Sequence, residues 1–333
     1  MKETGPEAPV TLRGLLTPQE VRDWKQPNTA RVVARLVLIW VQLFGALWLY
    51  IAFPKPLGFV VAFVLIAGGQ HVMSLASHEF SHFAVFPQNR RLNDWVGDWL
   101  YSAPIALPLA VFRHRHFAHH RLYSRHDDTK EVYRDSLVGR GLWIELGRAA
   151  CGLDYLARVL RAVKRSREEA RRGLETPDTG RASLPTLVMQ AVLLGLFWLI
   201  DPWLYFTLWL LPLVTLTQVL HKLRATVEHQ PLESEAWGAK DSGYFMDTPG
   251  PYVRSLRGSA LERFFLAAMN FGYHAEHHLW PQVSYQYLPL VRERLLVAGA
   301  FDDPRFALEE TYLGAVTKLW RGEAGASEIV AEL

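Results

Sequence analysis

The sequence predicts an all-α integral membrane protein, with four transmembrane helices in two hairpins and a cytosolic helical cap that carries clustered histidines. Three observations predict it. Half of the 333 residues are apolar and twelve are Trp, with 21% charged, a mixture that suits apolar spans joined to a charged part outside the bilayer. Four apolar stretches approach the roughly 20 helical residues that cross a membrane. Nine of the thirteen histidines fall into three tight clusters and one outlier.

The elements follow in order as one domain over 1–333. Residues 1–33 read as a cytosolic N-terminal segment: the first thirty are polar, acidic at Glu3 and Glu7, and lack the apolar run of a signal peptide. The first hairpin, 36–77, has spans from about Leu36 to Phe53 and from about Leu57 to Ser77, joined by Phe53-Pro54-Lys55-Pro56. A link that short allows only antiparallel helices. A cytosolic and interfacial segment, 78–182, carries two histidine clusters. The second hairpin, 184–223, is broken at Asp201-Pro202, and the C-terminal part, 224–333, carries the third cluster. Fourteen Arg or Lys lie between Arg121 and Arg181, whereas the hairpin tips offer only Lys55. The positive-inside tendency therefore puts that segment, and both ends of each hairpin, in the cytosol.

Two parts of the connecting segment have their own character. Asn93 to Phe112 is aromatic and too short to span, so it is expected at headgroup level, delivering the second cluster. Trp143 to Arg172 becomes strongly charged and is expected to be a surface helix, either solvated or facing anionic lipid or an electron donor. The single Cys151 excludes an internal disulfide and a thiolate metal site, and is expected to be a packed small side chain. A net charge of +3, evenly mixed, argues for no nucleic-acid partner.

The histidines carry the chemistry. His78 and His82 lie in HEFSH, His116, His119 and His120 in HFAHH, His274, His277 and His278 in HAEHH, and His229 in RATVEHQ. Histidines at i, i+3 and i+4 project from one side of a helix, and imidazole is the commonest metal ligand. In H-x-x-H-H the first and third share a face and the second lies one residue round, so one turn can serve two adjacent metals. One ion takes at most about six ligands. Nine convergent imidazoles therefore imply two metals. Metal-bound imidazoles pass their other N–H to an acceptor, and Glu79, Asp127, Asp128, Glu228 and Glu276 are neighbours that can accept it. Asn270 precedes His274 by four residues and can orient it or hold a metal-bound water. His114 is expected beside the ligands or facing lipid, and His71 and His221 lie too far along their helices to ligate. Taken alone, HEFSH also fits the H-E-x-x-H zinc protease pattern, with Glu79 as base. An intramembrane protease, however, would leave six clustered imidazoles unexplained.

HEFSH, HFAHH, RATVEHQ and NFGYHAEHHLWP, in this order around two hairpins, resemble the membrane fatty acid desaturase and hydroxylase superfamily over about residues 36–300. The resemblance implies a nonhaem centre of two iron ions held by the nine histidines above. It implies dioxygen as co-substrate and attack on an unactivated C–H bond of a lipid or other apolar molecule. HAEHHLWP looks closer to bacterial acyl-lipid, sphingolipid-type and carotenoid-modifying members than to the alkane hydroxylases. Some desaturases carry Asn one turn before the isolated histidine, where this chain has Ala225. The expected function is fatty acyl desaturation in a bacterial inner membrane, with the active site facing the cytosol. A hydroxylase or ketolase of the same architecture is the first alternative, the zinc protease a second and a non-catalytic metal-binding membrane protein a third. No haem or iron–sulfur module is present, so electrons are expected from a ferredoxin, rubredoxin or cytochrome b5-type donor.

Overall fold

A computed structural model describes residues 12–122, 139–172, 177–229, 253–302 and 306–321. Most of these residues are helical, and four helices among them are long and apolar enough to cross a membrane. After a short helix α1 (Pro18–Trp24), the spans are α2 (Thr29–Ala52), α3 (Pro56–Ser81), α8 (Thr179–Trp198) and α9 (Pro202–His229). Between α3 and α8 come α4 (Arg90–Val96), α5 (Leu109–Leu122), α6 (Arg140–Ala150) and α7 (Leu153–Arg171). After α9 come β1 (Val253–Leu256), α10 (Ala260–Phe265), α11 (His274–Leu279), α12 (Leu288–Val297), β2 (Phe306–Glu309) and α13 (Tyr312–Arg321).

Each span starts where its sequence supplies a cap. The Asn28 side chain accepts from Arg31 N ahead of α2, Pro56 occupies the first turn of α3, and Asp178 accepts from Gly180 N and Arg181 N ahead of α8. On α2 a buried stripe at Val32, Leu36, Ile39, Leu43 and Ala46 recurs every three or four residues. The opposite face leaves Val37, Leu38, Val41, Phe44 and Trp48 exposed, and α8 leaves Leu184, Leu187, Val188 and Leu196 exposed. Apolar area in water costs about 25 cal/mol per Å². A lipid environment removes that cost, which is why such faces belong to membrane-crossing helices.

The second half of α3, from Ile66 to Ser81, is buried at every position but the half-buried Ser74 and forms the central post of the molecule. Gly69 lets Leu43 of α2 approach, and Gln42 Nε2 donates to the Leu65 carbonyl at 2.9 Å. In α9 the backbone widens into a π turn over Tyr205–Leu210, just before Pro212, which lacks an N–H. An unmet carbonyl is costly in an apolar bundle. Gln70 of α3 meets it by donating Nε2 to Trp209 O at 2.8 Å, and Thr217 donates to Gln70 Oε1 at 3.0 Å.

Helix α3 therefore runs further than its apolar stretch, through the whole of HEFSH to Ser81, because the neighbouring elements bury its polar end. The aromatic segment expected at headgroup level packs its middle part against the spans, while Trp95 stays exposed. After α4 it passes through a π turn (Gly97–Ser102) and a short 3-10 turn (Ala103–Ile105), and Tyr101 to Ile105 are buried. Ser102 donates to Ser77 of α3 at 2.8 Å, while Gln190 of α8 and Trp209 of α9 donate to the carbonyls of Ala103 and Pro104. The fold is also not purely helical. Strands β1 and β2 pair in parallel, Val253 opposite Phe306, and Ser255 bridges to Tyr273. Four-residue strands paired across some fifty residues leave no local period to read. Cys151 is exposed at the end of α6 rather than packed. On α7, Asp154 pairs with Lys222 of α9 on the inward side, and Leu156, Leu160 and Val163 stay exposed on the outward side.

A methyl group built on Gly97 would lie 2.6 Å from Phe80 Cγ and 2.7 Å from its Cβ, atoms that cannot swing away. Gly97→Ala is expected to lower stability by about 1–3 kcal/mol, read by thermal unfolding in detergent. Gly69→Ala meets the movable tip of Leu43 and should cost clearly less.

Candidate metal centre

Four separate stretches of chain bring the nine histidines together. Helix α3 contributes His78, and His82 as its C-cap residue; α5 contributes His116, His119 and His120; His229 ends α9; and α11 contributes His274, His277 and His278. They form two adjoining groups. In the first, one ring nitrogen of each of His78, His82, His116, His120 and His277 lies within 4.8 Å of the others; in the second, the same holds for His119, His229 and His278. His274 joins the second group through His229, with Nε2 atoms 2.9 Å apart, and through His278 at 3.2 Å. The groups abut where the His120 and His278 rings lie 4.5 Å apart.

Helical periodicity explains the division. The first and third histidines of HFAHH, one turn apart, enter the first group and His119 enters the second. In HAEHH the first and third enter the second group and His277 enters the first. Each H-x-x-H-H turn thus serves both groups, in opposite sense, as a 100° step per residue requires.

The spacing fits metal coordination. Nε2 of His116 lies 2.7 Å from that of His82 and 2.9 Å from that of His120, and His277 Nε2 lies 3.2 Å from that of His120. Imidazole nitrogens at about 2.0–2.1 Å from a shared ion stand roughly 2.9–3.4 Å apart. Two lone pairs at such a distance repel unless a cation lies between them. Burial, with the Arg113 charge second, pushes the His82 imidazole down to about 3, which favours the neutral form of that ring, the form that binds metal. These clusters can therefore hold metal ions, and the donor set suits iron, zinc or copper.

The far sides of the rings are tied back. His229 Nδ1 lies 3.0 Å from the Ala225 carbonyl, which can only accept, so Nδ1 carries the proton and Nε2 keeps its lone pair for a metal; His78 Nδ1 lies 3.0 Å from Glu79 Oε1. Ala225 thus serves through its backbone. Glu228 lies 3.8 Å from His274 Nδ1, pairs with Arg224, and accepts from Tyr312 Oη at 2.8 Å. Burial, then the Glu228 charge, raises the Tyr312 phenol well above its ordinary value, which keeps it a donor. Glu276 turns away to accept from Ser255 of β1 at 2.5 Å, and burial raises its carboxyl to about 7. Asn270 is not on the helix of His274: it follows Met269 in a left-handed turn, φ 56°, and donates to the Tyr285 carbonyl at 3.0 Å. His114 is half-buried and belongs to neither group, and His71 faces Leu266 O and His221. Asp127, Asp128 and His126 lie outside the described residues.

Phe271 touches one imidazole of each group, His78 at 4.6 Å and His274 at 5.6 Å between ring centres, and forms an apolar wall. A cavity of about 650 Å³ reaches His120 and His278 past Leu16, Val21 and Trp280, and a second of about 370 Å³ reaches His82 past Phe117 and Arg121. The Glu79 carboxyl is taken up by His78 Nδ1 and by a backbone N–H of Tyr285. A protease base would have to face the metal, so this placement speaks against that reading. Sequence reasoning missed Tyr312, Ser255 and Arg113. Only Arg113 left a signal, one turn before His116 on the ligand face.

Residues 54–306 match the family model described as fatty acid desaturase, which covers more than half of the chain. No curated protein matches the chain.

Removing the carboxylate behind His78 frees its ring to turn. Glu79→Ala is expected to weaken metal binding by about 10–100-fold, measured by titrating Fe(II) into the metal-free protein; unchanged affinity would show that Glu79 does not orient the ligand.

Proposed function

The chain belongs to the fatty acid desaturase family, and from that premise we propose that it is an oxygen-dependent di-iron desaturase of a fatty acyl chain carried in a lipid or as a thioester. The observation that carries this reading is the division of nine imidazoles into two abutting groups, five nitrogens in one and four in the other. One group would hold each iron: His78, His82, His116, His120 and His277 the first, and His119, His229, His274 and His278 the second.

When bound, the iron pair supplies the means to reduce dioxygen at the cost of a strong C–H bond. The balance is a CH₂–CH₂ unit, one O₂, two electrons and two protons giving CH=CH and two waters. The electrons come from a separate donor of the ferredoxin, rubredoxin or cytochrome b5 type, because the chain has no thiolate set for a cluster of its own. The protein's part is positioning and shielding. The Ala225 carbonyl holds a proton at Nδ1 of His229 and Glu79 bonds Nδ1 of His78, which fixes where their Nε2 atoms point. Phe271 and the apolar end of the bundle exclude water from the inner side of the rings, where a methylene has to be held.

The four apolar spans support an integral membrane location. The nine clustered histidines lie at the ends of α3 and α9 that face the basic connecting segment. With the excess of Arg and Lys from Arg121 to Arg181, this supports two hairpins entering from the cytosol and a helical cap there, in a bacterial inner membrane.

Expression in a host of simple lipid content, followed by mass spectrometry of total lipids, tests the reaction. Loss of two hydrogens is expected; a gain of one oxygen would reassign the chain to the hydroxylases. His119→Ala and His277→Ala remove one nitrogen from each group, and both are expected to abolish product while the protein stays in the membrane. Metal analysis of the purified protein should give close to two irons per chain, and a single zinc would overturn the reading.

A further inference from the structure

Helices α3 and α5 supply four of the five imidazoles of the first group, so the spacing of these helices sets the spacing of the ligands. A helix ends in carbonyls that have no partner within it. At the end of α3 two of those carbonyls, of Phe80 and Ser81, are met by one side chain from α5. Arg113 precedes His116 by three residues and His120 by seven, so all three share a face. Its Nε donates to the Ser81 carbonyl at 2.9 Å and its Nη2 to the Phe80 carbonyl at 3.0 Å. The same guanidinium grips Asp94 of α4, Nη2 to Oδ1 at 2.5 Å and Nη1 to Oδ2 at 3.3 Å. Asn93, next to Asp94, donates to the Phe80 carbonyl at 2.9 Å.

The residue past His82 is part of the same device. Phe83 has φ 57°, a left-handed conformation that disfavours any residue with a side chain. It closes the helix by bonding Phe83 N to Phe80 O at 3.1 Å, and Ala84 N follows to Glu79 O at 3.1 Å. Glycine would take this conformation freely but would offer no ring. The Phe83 ring lies 4.0 Å from the Arg113 guanidinium carbon and 4.9 Å from that of Arg90.

We propose that Arg113 is a positioning residue, a bracket joining the end of the HEFSH helix to the HFAHH helix, which sets the affinity of the five-imidazole group for metal. The inference rests on the two-metal reading above. Arginine suits the place because its planar fork serves two carbonyls and a carboxylate at once, which a lysine ammonium does not.

Fe(II) titration of the metal-free, full-length protein in nanodiscs, with Mössbauer spectra of the loaded samples, tests it. Wild type is expected to bind two ions in two steps. Arg113→Gln should weaken one step at least about tenfold and leave the other within about threefold, the range seen when groups behind metal ligands are removed. One of the two iron signals should fade with it. Arg113→Lys should restore part of the loss, and Asp94→Asn, which keeps the carbonyl bonds, should show a milder form of it. Two unchanged steps in Arg113→Gln, equal loss from both steps, or a lysine variant no better than glutamine would overturn the bracket. Should Arg113→Gln fail to insert, the lysine and Asp94→Asn variants carry the test by the same criteria. Wild type binding a single iron would instead overturn the two-metal reading, and the bracket with it.

Discussion

Imidazole nitrogens that present lone pairs to one another repel at the 2.7–3.2 Å found here, and the architecture follows from having to hold them there. A cation between them reverses the sign of that interaction, but only where the rings are already aimed. Aiming them demands rigid carriers, and short stretches of helix with a fixed 100° step are such carriers. Two H-x-x-H-H turns set against each other each give two rings to one group and one to the other. Such a division serves two centres from two turns.

Rigid carriers need fixed ends. His78, His82 and His229 lie at or just past the ends of long spans, where a free helix would fray. The structure closes those ends with polar ties that an apolar bundle would otherwise disfavour. Arg113 and Asn93 close α3, while the end of α9 is held by Arg254 of β1, which donates to Val227 O. Deeper in the bundle, Gln70 and Gln190 perform the same service for the π turn and for the Ala103–Ile105 turn. Each of these polar side chains donates to a backbone carbonyl at an irregularity, where an apolar bundle offers few other donors. The small parallel pair β1 and β2 has a similar part. It turns Ser255 toward Glu276 and so pins α11, which is too short to be rigid by itself.

The four spans, the histidine sets and the way an H-x-x-H-H turn divides between two groups were legible in the sequence, because length, apolarity and helical period are local properties. The ends of the spans were less so. Helix α3 runs on through Ser81 although its last turns are polar, since burial by α4 and α5 replaces the water those residues would otherwise seek. The aromatic segment of Asn93 to Phe112 looked interfacial by composition. What composition did not show is that its Ser102, Ala103 and Pro104 find partners on Ser77, Gln190 and Trp209, positions scattered over more than a hundred residues.

The same contrast holds at the site. Residue type and spacing were enough to name the nine imidazoles as one set and to pair Glu79 with its neighbour. Which nitrogen meets which, and what stands behind each ring, was decided by packing. Tyr312 reaches Glu228 from eighty-four residues away, and Glu276 and Asn270, beside the third cluster in sequence, turn to Ser255 and Tyr285 instead. Nothing in a linear chain encodes such choices locally, since they depend on the free energy of placing a buried donor opposite whichever acceptor the assembled helices bring to it.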